Sequence, residues 1–180
     1  MTSKILVSDK IADAGLNVLK AASGVQFDYK PGLSEEELAD VIGEYDGLII
    51  RSATQVSAKV LARADQLRVI GRAGIGIDNV DVPAASRRGI VVMNTPTGNA
   101  VTTAEHALTL LMSLARRIPQ ATASMRTGKW EKTKFQGSEI AGKTLGIIGL
   151  GKIGRVVAGR AQGLKLKVIA FDPVLTAEKA

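Results

Sequence analysis

The chain has 180 residues, of which 46% are hydrophobic, and it contains one histidine and no cysteine. This length can form one large domain or two small ones with hydrophobic cores, whereas the composition excludes disulfides, thiolate metal sites and multi-histidine metal clusters. The net charge of +7 is divided unevenly, with −1 on residues 1–97 and +8 on residues 98–180, and it therefore indicates an anionic partner or a missing acidic segment.

The first half of the chain alternates between predicted strands and helices. Strands are predicted at 4–8, 25–29, 47–51, 67–71 and 90–94, and helices at 11–22, 33–43, 57–64 and 81–88. Ser34 and Glu37 have the spacing of a capping box at the start of one helix. Strands and helices that alternate with short links predict a flavodoxin-like or Rossmann-like doubly wound parallel sheet.

The second half begins after the turn-rich segment "TPTGNA" at 95–100. A long helix is predicted from Val101 to Arg117, with Pro119 as the residue that ends or kinks it, and a shorter helix runs to Arg126. A polar connector leads to a strand at 144–149, a helix at 152–162 and a strand at 166–171.

The start of the chain and the length of its apolar runs indicate where in the cell the protein is found. The first residues alternate like a strand and lack the basic and apolar segments of a signal peptide. No apolar run approaches the roughly 18 residues that cross a bilayer. We therefore expect a soluble, cytoplasmic protein without a membrane partner.

Gly149, Gly151 and Gly154 form a G-x-G-x-x-G loop between an apolar strand and a helix. In a dinucleotide-binding fold these glycines allow the tight turn, the approach of a pyrophosphate, and close packing of helix on strand. Asp172 ends the following strand, at about the 20-residue distance where a carboxylate binds ribose hydroxyls. The pattern predicts NAD rather than NADP as the cofactor. A complete fold of this type has about six strands, so we expect the second half to be truncated.

Four segments carry a family resemblance beyond the glycine loop. They are "GLIIRSAT" (47–54), "VIGRAGIGIDNVDVPAASRRGIVVMNTPTGNAVTTAEHAL" (69–108), "RRIPQATASMRTGKWEKTKFQGSEIAGKTLGIIGLGKIG" (116–154) and "AFDP" (170–173). Together they resemble the D-isomer-specific 2-hydroxyacid dehydrogenases, and among these the phosphoglycerate branch. The resemblance implies a substrate-binding domain at 1–97 and the start of a Rossmann NAD-binding domain at 98–180.

The resemblance implies an oxidoreductase of serine biosynthesis, in which NAD oxidises the 2-hydroxyl of 3-phospho-D-glycerate to give 3-phosphohydroxypyruvate. The family's catalytic histidine, arginine and carboxylate belong to motifs that do not occur before Ala180, so we expect no catalytic residue in this chain and no activity from it alone. Family members pair through the region around 116–134, which implies a homodimer or homotetramer.

The resemblance also carries individual residues over. It implies substrate contacts from Arg51, Ser52, Gly74, Ile75, Gly76 and Lys132, with Ile75 acting through its backbone only. It implies cofactor contacts from Asn99, Val101, Lys152 and Ile153, beside the three glycines and Asp172. Arg51 and Ser52 end a strand, where doubly wound sheets bind ligands, and a guanidinium there suits a carboxylate or phosphate.

Other interpretations stay open. Within the family, the alternative function is that of a glyoxylate or hydroxypyruvate reductase. Outside the family, the alternative is a non-enzymatic, NAD-sensing regulator that resembles a corepressor. Aromatic residues are 3% of the chain, too few for base stacking, so we expect no nucleic-acid partner. His106 is interpreted as a hydrogen-bonded structural histidine, Trp130 as a buried interface anchor, and Asp78 and Asn79 as braces of their loop. The basic residues at 116–134 form either a solvated face or a phosphate contact.

Overall fold

The computed structural model describes residues 2–175, and the last residues of the predicted second domain, 176–180, lie outside them. The chain divides between Gly98 and Asn99 into two compact units. Among the described residues, no helix has both the length and the apolar character needed to span a bilayer. The same residues contain no cluster of three or more potential metal ligands.

The first unit is built on a parallel sheet of five strands with the order β2-β1-β3-β4-β5. Its strands are β1 (Ser3–Val7), β2 (Val25–Tyr29), β3 (Gly47–Ile50), β4 (Val69–Arg72) and β5 (Val91–Asn94), and its helices are α1 (Asp13–Ala21), α2 (Glu35–Val41, continued by a 3-10 turn at Ile42–Glu44), α3 (Ala58–Ala62) and α4 (Val82–Arg87). The predicted doubly wound parallel sheet is confirmed. This strand order is that of flavodoxin, in which ligands bind beyond the carboxyl ends of β1 and β3.

Side chains at the helix starts explain where the helices begin. Ser34 accepts the backbone N–H of Glu37, and the Glu37 side chain accepts the N–H of Ser34, which confirms the predicted capping box at α2. Ser57 caps α3 through the N–H of Lys59, and Asp81 caps α4 through the N–H of Ala84. Each cap satisfies a donor that has no partner inside its helix.

One face of the five-stranded sheet carries the main hydrophobic core. The buried strand residues Leu6, Leu48, Ile50 and Ile70 cluster there with buried residues of α2, α3 and α4. The row on the opposite face runs through Ile5, Gly47, Val69 and Val91. Val91 and Met93 are more than half exposed, so this face is open to solvent at the β5 edge.

The second unit pairs two parallel strands with three helices. These are α5 (Ala100–Ala115), α6 (Ile118–Arg126), β6 (Thr144–Ile148), α7 (Lys152–Gly163) and β7 (Lys167–Phe171). Leu108 of α5 and Ala161 of α7 are buried in one cluster with Leu166. Arg160 adds polar contacts between these helices, because its guanidinium pairs with Glu105 at 3.0 Å and donates to the Val101 carbonyl at 3.3 Å.

The helix predicted to reach Arg117 ends earlier, at Ala115. Arg117 adopts a left-handed conformation with φ of 52°, which a continuous helix does not allow. Pro119 lies in the first turn of α6, where its missing N–H costs nothing. The break therefore comes from the backbone at Arg117, and Pro119 helps to start the next helix.

Gly154 is the position in α7 where the packing demands glycine, because an added methyl group would overlap the Gly149 carbonyl oxygen. We expect Gly154→Ala to lower the free energy of unfolding by about 1–3 kcal/mol, the usual cost of overpacking. Gly159→Ala in the same helix is the matched control. Nothing lies within 4 Å of a methyl group there, so it should raise stability by up to about 1 kcal/mol. Urea denaturation measures both changes, and equal effects would contradict the packing argument.

Candidate functional site

The loop after β3 lines a pocket at the carboxyl edge of the first sheet. The pocket has a volume of about 280 Å³, and its lining residues are Asp9, Lys10, Pro31, Gly32, Arg51, Ser52 and Ala53. It lies beyond the ends of β1, β2 and β3, the place where ligands bind in a sheet of this strand order. The side chains of Lys10 and Arg51 are exposed there, so the pocket offers two cations to an anionic group.

Asp9 holds this loop from the side of β1. Its carboxylate is buried and accepts the backbone N–H groups of Arg51 and Thr54. The Ser8 and Thr54 hydroxyls lie 3.0 Å apart in the same buried layer. Sequence reasoning missed Asp9 and Lys10. Their position directly after β1 was the available signal, because the carboxyl ends of neighbouring parallel strands meet at one edge.

Asn79 holds the same loop from the other side. Its Nδ2 donates to the carbonyls of Arg51 and Thr54, each at 2.7 Å, and its Oδ1 accepts from the Arg72 guanidinium at 3.0 Å. Asn79 was predicted to brace its own loop, but its amide instead braces the loop after β3.

The loop after β4 contains the predicted Gly74, Ile75 and Gly76. The Ile75 carbonyl accepts from Asn94 at 2.6 Å, and the Gly74 carbonyl accepts the N–H of Thr95 at 3.0 Å. Within residues 2–175 the N–H groups of Ile75 and Gly76 have no hydrogen-bond partner. The loop lies against the Arg72 guanidinium, which a methyl group on Gly74 would overlap. Free amides beside a cation can receive a carboxylate.

The predicted glycine loop forms a tight elbow between β6 and α7. Gly149 has φ of 93°, a conformation that favours glycine. Gly151 precedes the first helical residue, Lys152, and no side chain caps the helix. The N–H groups of Lys152 and Ile153 therefore lie at an open helix start. A methyl group on Gly151 would meet no atom within 4 Å, so the space beside this glycine is open.

Asp172 follows β7 and contacts this elbow. One carboxylate oxygen accepts the N–H of Leu150 at 2.7 Å, and the other accepts the N–H groups of Val174 and Leu175 at 2.9 and 3.1 Å. These backbone donors, Val174 first and then Leu150, lower the pKa of Asp172 below its ordinary value of 3.8. The group is therefore a carboxylate at neutral pH, and its oxygens retain lone pairs for a ligand hydroxyl.

The remaining predicted residues lie elsewhere in the second unit. Asn99 and Val101 begin α5, and the Val101 carbonyl is held by Arg160. Lys132 lines a pocket of about 630 Å³ with Arg116 and Glu139. The His106 side chain is exposed and makes no hydrogen bond within residues 2–175, so its interpretation as a hydrogen-bonded structural side chain was wrong.

Comparisons with known proteins place these features in a family. The family model for the D-isomer specific 2-hydroxyacid dehydrogenase, catalytic domain, matches residues 5–179. The D-3-phosphoglycerate dehydrogenase of Synechocystis is 51% identical over 178 residues, which are 99% of this chain and 32% of that protein. The human enzyme of the same name is 51% identical over 97% of this chain and 33% of its own length. The chain thus spans about a third of the curated relatives it matches.

Solved structures agree in fold. The TT0316 protein from Thermus thermophilus superposes with a TM-score of 0.87 and 32% identity, covering 97% of this chain and 57% of that one. NAD+-bound 3-phosphoglycerate dehydrogenase from Entamoeba histolytica gives a TM-score of 0.79 and 28% identity, covering 99% of this chain and 57% of that one. With a family model that matches nearly all of its length, the chain belongs to the D-isomer specific 2-hydroxyacid dehydrogenase family.

Proposed function

We propose that this chain supplies the substrate-binding unit and the first part of the NAD-binding unit of a D-3-phosphoglycerate dehydrogenase. The observation that carries the proposal is the glycine elbow with Asp172 hydrogen-bonded to it. The elbow offers helix-start amides to phosphates, and a carboxylate beside it suits ribose hydroxyls. The curated relatives of that name support the choice of substrate, since their identity to the chain is 45–52%.

In the proposed reaction NAD, when bound at the glycine elbow, would supply the hydride acceptor for C2 of the substrate, and the proton of the 2-hydroxyl would pass to a base that lies outside the residues of this chain. The residues of this chain bind and orient. Arg51 and Lys10 attract an anionic group of the substrate at the carboxyl edge of the sheet. The Ile75 and Gly76 amides receive the carboxylate. Ser52 donates or accepts a hydrogen bond beside Arg51.

NAD rather than NADP is favoured by charge. The lowered pKa of Asp172 keeps this group ionised at neutral pH, and a carboxylate repels the 2′-phosphate that distinguishes NADP. Asn99 and Val101, at the start of α5, are proposed as further cofactor contacts. The family's acid–base machinery does not occur among the motifs of this chain. We therefore propose that the 180-residue chain binds its ligands without turning them over.

A homo-oligomer is proposed from an exposed apolar surface of the second unit, named here the α5–α6 surface. Its exposed residues are Leu110, Leu114, Ile118, Met125 and Trp130. Trp130 is 75% exposed in the single chain, so it can act as an interface anchor only if another chain covers it. A second copy of the chain is the proposed partner.

The cofactor site is tested by Asp172→Asn. We expect the NAD affinity of the chain to fall about 10-fold and the discrimination against NADP to shrink, because the charge-assisted hydrogen bonds and the repulsion are both lost. Wild-type affinity should be weaker than micromolar, since one mononucleotide half is present. Isothermal calorimetry measures the affinities for NAD and NADP. Asp65→Asn, which removes a carboxylate from the first unit, is the matched control.

The pH dependence of this site follows from the same carboxylate. Its pKa is lowered in the folded chain, so the carboxylate stays ionised well below neutral pH. The affinity for NAD, which has no 2′-phosphate to titrate, should therefore stay constant between pH 7 and pH 5 and fall only as the pH falls through the lowered pKa. An NAD affinity that declined between pH 7 and pH 5 would count against Asp172 as a contact.

The substrate is tested by titrating the chain with 3-phospho-D-glycerate and following Arg51 and Gly76 amide resonances. We expect Arg51→Gln to weaken binding about 10-fold, because a charge-assisted contact is lost. NADH should form no faster than in a blank. Equal affinity for glycerate and 3-phosphoglycerate would point to a hydroxyacid without a phosphate, and measurable turnover would refute the assignment of catalysis to residues outside this chain.

The oligomer is tested by Trp130→Glu. If the α5–α6 surface pairs two copies, burying a charge there should shift the species seen in sedimentation velocity towards the monomer. Val18→Glu, at a 70% exposed position of α1, is the matched control and should leave the sedimentation unchanged. A wild-type chain that stays monomeric at high concentration would remove the basis for the pairing.

A further inference from the structure

Buried polar side chains of the described residues are concentrated at one loop. They are Ser8, Asp9, Thr54 and Asn79, and each belongs to the loop at 51–54 or contacts it. Burying polar groups costs free energy unless they are hydrogen-bonded. All buried side-chain nitrogens and oxygens among the described residues have partners. These four buried polar side chains of the first unit are therefore gathered around a single loop.

The loop is held at both ends by two side chains. The N–H groups of Arg51 and Thr54 donate to Asp9, and the carbonyls of the same two residues accept from Asn79. Two residues far apart in sequence thus bind the backbone polar groups of positions 51 and 54. Ser52 and Ala53, between them, are exposed towards the pocket.

Asn79 also connects this loop to the loop after β4. Its Oδ1 accepts from Arg72, whose guanidinium lies against Gly74. The backbone carbonyl of Asn79 accepts the N–H of Val56 at 2.8 Å, so the residue itself is anchored. Rotating the amide by half a turn would place its oxygen against two carbonyl oxygens, and the arrangement therefore has one stable orientation.

We infer that Asn79 is a positioning residue that sets the Arg51–Thr54 loop and the Gly74–Gly76 loop at a fixed separation for one substrate that carries two anionic groups. This inference rests on the proposed function, in which the two loops bind opposite ends of the same molecule. Asn79 contacts neither end. Its effect on affinity passes through the Arg51 carbonyl on one side and through Arg72 on the other.

The experiment is a double-mutant cycle of Asn79→Asp and Arg51→Gln, with 3-phospho-D-glycerate as the ligand and NMR titration as the readout. Asn79→Asp keeps the size and the Arg72 contact but replaces two donors with an oxygen that repels the loop carbonyls. We expect an affinity loss of about 10-fold or more. In that background Arg51→Gln should cost little further affinity, because Arg51 is already displaced.

Asp81→Ala is the matched control. It removes the cap of α4, a hydrogen bond to the N–H of Ala84 at 2.9 Å, and so weakens the same unit without removing any hydrogen bond of the Asn79 side chain. Ligand affinity should stay at the wild-type value, and Arg51→Gln should keep its full effect. Additive losses for Asn79→Asp and Arg51→Gln, or an equal loss with Asp81→Ala, would overturn the inference.

A second readout separates this inference from the proposed function. If the wild-type chain does not bind 3-phosphoglycerate, the proposed substrate is wrong. The role of Asn79 in holding the Arg51–Thr54 loop can still be tested in the chain without a ligand. Asn79→Asp should speed amide exchange at Arg51 and Thr54 and shift the Arg72 Nε–H resonance. Unchanged exchange and an unchanged resonance would overturn the positioning role whatever the substrate is.

Discussion

A carboxylate at the end of one parallel strand accepts backbone N–H groups from the loop after its neighbour, and both candidate sites depend on this contact. In the first unit Asp9 follows β1 and binds the loop after β3. In the second unit Asp172 follows β7 and binds the elbow after β6. A chain leaving a sheet carries backbone donors without partners, and a buried donor without one is costly. The carboxylates satisfy these donors and fix the loops at the same time.

The two carboxylates differ in exposure, and this difference separates their roles. Asp9 is buried and its contacts are with its own chain, so it acts on a ligand only through the loop that it holds. Asp172 lies at the surface of the elbow with hydrogen-bonding capacity left. It orders the elbow, and the ribose contact proposed for it uses the oxygen lone pairs that remain. In the first unit Asn79 donates to the carbonyls of the loop that Asp9 holds by its N–H groups. A carboxylate could not take this place, because it has no hydrogen to donate.

Both sheets leave apolar surface in contact with solvent. Ile148 is 91% exposed and Phe171 67% on the two-stranded sheet, and Val91 and Met93 are exposed at the β5 edge. Two strands need further packing to be stable on their own. The relatives are about three times as long as this chain. We expect these surfaces to be covered in proteins of that length.

The sequence by itself determined the elements and the location of both loops. The spacing of apolar residues and the helix-capping residues predicted the strands and helices, because these signals act over a few residues. Ser34 with Glu37 is an example. The glycine loop and the strand-end position of Arg51 were readable for the same reason. Only the tertiary structure decided which side chains hold those loops. Asp9 lies 42 residues from Arg51 and Asn79 lies 28, and such partners meet only once the strand order places their strand ends side by side.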